Sequence, residues 1–192
     1  MPKQGTKMTT GYVSWEEFKR LQAKLLHDND TDVLLLISVG VYTALRISDV
    51  LRLKWADFGG DQIEIKEKKT GKTRLISINK DLKEIVEKIK SSQEIKDENE
   101  LFINKSTSRP YTRMGVNKML KRIFKKYKVV CDGNVSSHLF RKTFGRRVME
   151  NNGYSGEALL LLMDTFQHSS PALTKRYLGI RQQEINTLYE TL

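Results

Sequence analysis

Over the first sixty residues the hydrophobic positions follow a helical period. Ser14-Trp15-Glu16-Glu17 has the form of a capping box, a hydroxyl followed three residues on by a carboxylate, and predicts a helix reaching about His27. His27, at the polar end of that helix beside Asp28, reads as a surface residue. The next run, VLLLISVGVYTAL, is apolar on nearly every side, so the helix from Thr31 to Thr43 is expected to be buried all round. Arg46 to about Trp55 reads as a short second helix that follows directly. After Gly59-Gly60 the period drops to two. Gln62–Lys66 and Thr73–Ile78 alternate as strands do, and Lys68-Lys69-Thr70-Gly71-Lys72 between them predicts a β-hairpin with a basic tip.

Helical spacing then returns. Asn79 is placed to cap a helix to about Lys90, followed by an acidic connection from Ser91 to Glu100, an extended piece at Leu101-Phe102-Ile103 and a turn at Arg109-Pro110-Tyr111. Thr112 caps a helix to about Tyr127, with Val116, Leu120, Ile123, Phe124 and Tyr127 on one face. Its other face carries Arg113, Lys118, Lys121, Arg122, Lys125 and Lys126 and no acid, which suits either a solvated surface or one that touches phosphates. Further helices are predicted from His138 to about Asn152, where Gly153 stops the first, from Gly156 to Phe166, and from Pro171 to Tyr177. Ile185, Leu188 and Leu192 form a narrow apolar stripe in the last segment. The fold class is mainly α (α+β), helical with one small antiparallel β-hairpin or three-stranded sheet. Met1 to Gly11 is polar and reads as a lead-in or interdomain linker, which leaves residues 12–192 as one domain.

Composition narrows the partners. The net charge is +11 over 192 residues, an excess that favours a polyanion, nucleic acid before anionic membrane. Cys131 is the one cysteine, so neither an intrachain disulfide nor a cysteine-built metal site is available. The N-terminal residues lack an apolar signal core, and no run is long enough to cross a bilayer. Gly71-Lys72-Thr73 superficially has the ending of a P-loop, but Lys66 stands where the first glycine is required and the turn joins strand to strand. No nucleotide site is implied.

The candidate chemistry lies in separate segments. His138 and Arg141, three residues apart, share a helical face and pair a proton acceptor with a guanidinium fork suited to a phosphate oxygen. His168 and, nine residues on, Tyr177 follow. Arg46 sits between two apolar helices, so its charge needs an acid, and Asp49 three residues on is the expected partner. A tyrosine nucleophile starts at a disadvantage: holding the phenol ionised at neutral pH costs about 4 kcal/mol. It needs cations nearby and a base to take its proton, and this chain carries both kinds of group.

Four motifs, in order and at matching spacing, resemble the tyrosine recombinases, or phage-type integrases. They are Thr43-Ala44-Leu45-Arg46-Ile47-Ser48-Asp49-Val50-Leu51-Arg52-Leu53; Lys69-Thr70-Gly71-Lys72; Ser137-His138-Leu139-Phe140-Arg141-Lys142-Thr143-Phe144; and Phe166-Gln167-His168-Ser169-Ser170 through Arg176-Tyr177-Leu178-Gly179-Ile180. The resemblance implies that family's catalytic-domain fold and a site-specific DNA strand exchange that uses neither metal nor other cofactor. Tyr177 would attack a scissile phosphate to form a 3′-phosphotyrosyl link, and Arg46 and Arg141 would clamp the non-bridging oxygens. Lys69 would protonate the leaving 5′-oxygen, with Lys72 the competing choice. His138 would accept the tyrosine proton and His168 would bind a phosphate oxygen. It also implies double-stranded DNA as partner, a homotetramer on DNA and a monomer when free, the C-terminal segment docked in a neighbour or in cis, and a cytoplasmic protein of prokaryotic or phage origin.

Many members carry an N-terminal helical domain for which this chain has no room, which fits an excised catalytic domain or a short recombinase similar to the fimbrial-switch invertases. The alternatives are a type IB topoisomerase, which shares the chemistry but swivels one duplex, and a DNA-binding protein that has lost catalysis. The size and the Phe166-to-Ile180 motif favour the recombinase.

Overall fold

The computed structural model describes residues 10–92, 97–104 and 107–180. Most of the lead-in, part of the acidic connection and the stripe of Ile185, Leu188 and Leu192 lie outside the described residues. The chain divides into two compact units, Met1–Arg141 and Lys142–Leu192.

The first unit opens with α1 (Trp15–His27), where the Ser14 hydroxyl accepts from the Glu17 amide at 3.1 Å. The other half of the expected capping box is redirected. The Glu17 carboxylate takes Arg20 and the Val130 amide, and a charge-assisted bond outcompetes a neutral one. α2 (Thr31–Thr43) is buried along almost its whole length, as its apolar circumference requires. α1 and α4 (Lys80–Ser91) pack on it, with Asp81 accepting from both Lys19 and Tyr42. Gly40 is where α2 meets Phe140: a Cβ there would lie 2.3 Å from the phenylalanine ring, so only glycine allows the approach. One core runs from Val13 to Phe140.

Two expectations give way to backbone pairing. The helix after Arg46 covers only α3 (Ile47–Val50), and Trp55–Phe58 is a separate 3₁₀ turn. The Leu53 carbonyl and the Trp55 and Ala56 amides bond instead to Leu101, Asn99 and Asp97. Hydrogen bonds to that segment therefore replace those that would have continued the helix. Arg109-Pro110, expected in a turn, forms β4 (Arg109–Pro110) opposite β3 (Ile103–Asn104), and the Thr107 and Ser108 amides both bond back to the Asn104 carbonyl. So short a strand tolerates proline because the missing donor interrupts no interior ladder. The described residues hold two separate two-stranded sheets, of which the predicted hairpin, β1 (Gln62–Lys66) with β2 (Thr73–Ser77), is the longer.

Thr112 caps α5 (Arg113–Lys126) as expected, and all six of the basic residues named above are exposed. Lys126 is answered by Asp28 at the end of α1, 3.1 Å away. Thr10 and Gly11, read from sequence as the end of the lead-in, pair with the chain at Asn134.

α6 (His138–Asn151) starts in the first unit and ends in the second. The second unit continues with α7 (Gly156–Phe166) and α8 (Pro171–Leu178), which pack on each other. Both are capped by serines, Ser155 and Ser170, whose hydroxyls accept from Ala158 and Leu173. No helix among the described residues is long and apolar enough to cross a membrane.

Candidate active site

The first unit holds Arg46, Lys69, His138 and Arg141. α2 ends at Ala44 in the left-handed conformation, φ 51°. The chain reverses there, Leu45 drops into the core, and Arg46 is carried out at the N-cap of α3. The Arg141 guanidinium, itself only 4% exposed, donates to the Ala44 carbonyl at 2.6 Å. Thus the second arginine is tied to the turn that presents the first, although 97 residues separate Arg141 from Ala44. His138 is exposed one helical turn before Arg141.

The acid facing Arg46 corrects the expectation from sequence. Arg46 Nη1 donates to Glu67 Oε2 at 2.6 Å, while Asp49 accepts the Lys68 amide at 2.8 Å and has Arg52 3.6 Å away. Glu67 is 1% exposed and also accepts from Arg74 at 3.0 Å and from the Thr70 hydroxyl at 3.0 Å. Burial pushes its carboxyl up, but the bonds from Arg74 and Thr70 and the charge of Arg46 outweigh that and hold it below the usual carboxylate range. Asp49 is fully buried, and its Oδ2 has no hydrogen-bond partner among the described residues. The two acids sit on opposite sides of one junction, where the hairpin tip meets α3. Lys69 and Lys72 are exposed on that tip.

Sequence reasoning missed Glu67, and a signal for it existed. Ile63 and Ile65 are the buried positions of β1, and Glu67 has the same parity one step beyond the strand. An acid where the alternation points inward requires cations.

The second unit holds His168 and Tyr177, which meet. Their ring centroids are 5.1 Å apart at 72°, and Phe166 stands 5.4 Å from Tyr177 and 5.5 Å from His168. His168 Nδ1 lies 3.0 Å from the buried Thr174 hydroxyl, which fixes the imidazole ring. Lys142, unassigned from sequence, is 6% exposed with its ammonium 5.6 Å from the Tyr177 ring centroid. A cation over an aromatic face is attracted by the ring quadrupole. Arg146 donates to the carbonyl of Leu178, next to Tyr177, at 3.2 Å. Gly145 provides the room: a Cβ there would lie 2.7 Å from Leu178 and 2.9 Å from Phe166.

Chemically, the first unit presents guanidiniums and lysines braced by buried acids, an arrangement suited to a phosphate diester. The second brings a phenol ring centroid 5.1 Å from that of an imidazole and 5.6 Å from an ammonium, a setting in which a phenol could serve as a nucleophile.

The model for the phage integrase family matches residues 13–184. A curated relative, the probable integrase/recombinase YoeC of Bacillus subtilis (strain 168), is 31% identical over 179 residues, which cover 92% of this chain and 93% of that protein. Among solved structures, XerA recombinase superposes with a TM-score of 0.72 at 21% identity, over 97% of this chain and 66% of that one. XerH site-specific recombinase bound to its palindromic difH substrate, a post-cleavage complex, gives 0.69 at 21% identity, over 99% and 56%. A lambda integrase dimer bound to a COC′ core site gives 0.65 at 16% identity, over 92% and 50%. At those identities the structural likeness establishes the fold, and the chain spans between half and two thirds of these longer proteins.

Proposed function

The chain belongs to the phage integrase family, the tyrosine-type site-specific DNA recombinases, and we propose that it breaks and rejoins DNA through a 3′-phosphotyrosyl intermediate on Tyr177. The observation that carries this reading is the charge arrangement of the first unit. Arg141 is anchored on the turn that presents Arg46, and Arg46 is anchored through Glu67 on the hairpin that carries Lys69. Cations fixed in advance lower the barrier of a reaction whose negative charge grows on phosphate oxygens.

In the step itself the Tyr177 Oη attacks the scissile phosphorus, an oxygen–phosphorus bond forms, and the bond to the 5′-oxygen breaks. His138 takes the phenol proton and Lys69 gives one to the departing 5′-oxygen. Arg46 and Arg141 bind the non-bridging oxygens. His168, its Nδ1 engaged by Thr174, hydrogen-bonds the phosphate through Nε2. The 5′-hydroxyl of a partner strand reverses these transfers on new DNA. Since the ester conserves the energy of the broken bond, the exchange needs no nucleotide hydrolysis.

Double-stranded DNA is the partner, and the exposed basic face of α5 supplies sequence-independent attraction to its backbone. Four copies act together on paired sites, the free chain is monomeric, residues 12–192 form the catalytic domain, and the reaction takes place in a prokaryotic cytoplasm. Incubation with a nicked duplex, which lets the 5′-strand diffuse away after cleavage, is expected to leave a covalent protein–DNA adduct. That adduct should be absent from Tyr177→Phe; a variant that traps as much DNA as the parent removes Tyr177 from the role of nucleophile.

A further inference from the structure

Glu67 accepts three hydrogen bonds from three directions: Arg46 of the α2–α3 turn, Arg74 of β2, and the Thr70 hydroxyl inside the hairpin tip. Its backbone closes the same tip, since the Glu67 amide donates to the Lys72 carbonyl and the Gly71 amide to the Glu67 carbonyl, each at 2.9 Å. Gly71, with φ 67°, takes the left-handed conformation the reversal needs. From the other side Asp49 holds the Lys68 amide, and Arg52 reaches the Lys66 carbonyl at 3.3 Å. Lys69 therefore sits on a loop secured at Glu67, Lys68, Thr70 and Gly71, while its own side chain remains exposed.

We propose that Glu67 is a positioning residue for strand cleavage. Its carboxylate joins Arg46 to the hairpin tip, so that the phosphate-binding arginine and the proton-donating lysine are held as one body. Two guanidiniums on one carboxylate leave the cluster net positive, so the brace does not cancel the charge offered to a phosphate. The buried carboxylate also explains the exposed lysine. A flexible ammonium bears on one leaving oxygen only if the backbone beneath it is fixed, and the fixing is done two residues earlier. This inference rests on the roles proposed above for Tyr177 and Lys69.

The test measures single-turnover adduct formation by the full chain on two duplexes that differ only in the leaving atom. One has the ordinary 5′-bridging oxygen; the other has a 5′-bridging sulfur, which departs without a proton donor. Glu67→Gln keeps the size and removes the charge. It is expected to slow cleavage of the oxygen duplex by about tenfold or more and that of the sulfur duplex distinctly less, because a displaced Lys69 matters only where the leaving atom must be protonated. Equal loss on both duplexes, or an oxygen rate within about twofold of the parent, overturns the proposal.

Should Glu67→Gln not fold by circular dichroism, Thr70→Val at an exposed position makes the same comparison. A several-fold loss on oxygen that sulfur restores supports the proposal, and an unchanged rate overturns it. The parent chain separates the two levels. If it forms no Tyr177-dependent adduct, the proposed function fails and this inference with it; an active parent with unaffected variants refutes the role of Glu67 alone.

Discussion

The two units hold their candidate residues by different means. In Met1–Arg141 the cations are held by charge: Glu67 takes two guanidiniums and a hydroxyl, Asp49 takes a backbone amide, and a carbonyl takes Arg141. In Lys142–Leu192 the proposed nucleophile is held by ring packing, with Tyr177 edge-on to Phe166 and His168 and its ring under the Lys142 ammonium. Removing one partner of a buried ionic network costs about 3–5 kcal/mol, whereas an aromatic pair contributes about 0.5–1.5 kcal/mol beyond its burial. The difference fits the proposed chemistry. Groups that stabilise charge must not reorganise during the reaction, while a tyrosine nucleophile would exchange a phenol proton for a phosphate ester and accept new neighbours.

The largest expected effect tests that contrast directly. Glu67→Ala leaves the half-buried Arg46 and Arg74 without their shared carboxylate and should lower unfolding stability in urea by about 3–5 kcal/mol. Tyr177→Phe keeps the ring packing and should cost less, about 1.5 kcal/mol at most. Similar losses from both would mean that the units do not differ in how they are held. The acid limb sharpens the point. Because the Glu67 carboxyl lies below its ordinary range in the folded chain, its contribution is fully present above the unfolded value, near pH 4.5, and is lost as pH falls through the lowered folded one. Urea midpoints taken downward from neutral pH should therefore fall less steeply in Glu67→Gln than in the parent.

A smaller effect belongs to the second unit. Gly145→Ala adds a methyl group where Leu178 and Phe166 leave no room. Overpacking of about 1–3 kcal/mol, offset in part by the better helix propensity of alanine, should give a net loss of about 1–2 kcal/mol. The adduct rate should fall as well, since α8 carries Tyr177. A more stable variant with an unchanged rate would show that the close approach at Gly145 does not constrain α8. The smallest is Thr174→Val, which takes the hydroxyl from His168 Nδ1 and should cost about 1 kcal/mol with a several-fold slower adduct rate. An unchanged rate would show that Thr174 does not set the orientation of the His168 ring.

Much of this was legible from the chain. The hydroxyl and amide caps expected at Ser14, Asn79 and Thr112 act within a few residues, so local composition specifies them. The six candidate residues came from motif order and spacing. The shortening of the helix at Val50, the strand at Arg109-Pro110 and the partner of Arg46 were not legible in that way. In each case a distant segment offered a better hydrogen bond than the neighbour in sequence.

Read alone, the sequence determined where the helices start, which faces turn inward, and the order in which arginine, lysine, histidine and tyrosine follow one another. Tertiary structure decided which acid answers Arg46, that Arg141 bonds the turn at Ala44, and that Lys142 lies beside Tyr177. The reason is that caps and periods act over one or two turns of chain. A buried charge, by contrast, is matched by whatever counter-charge the fold delivers, here from 21 residues away for Arg46, and the fold sets that distance.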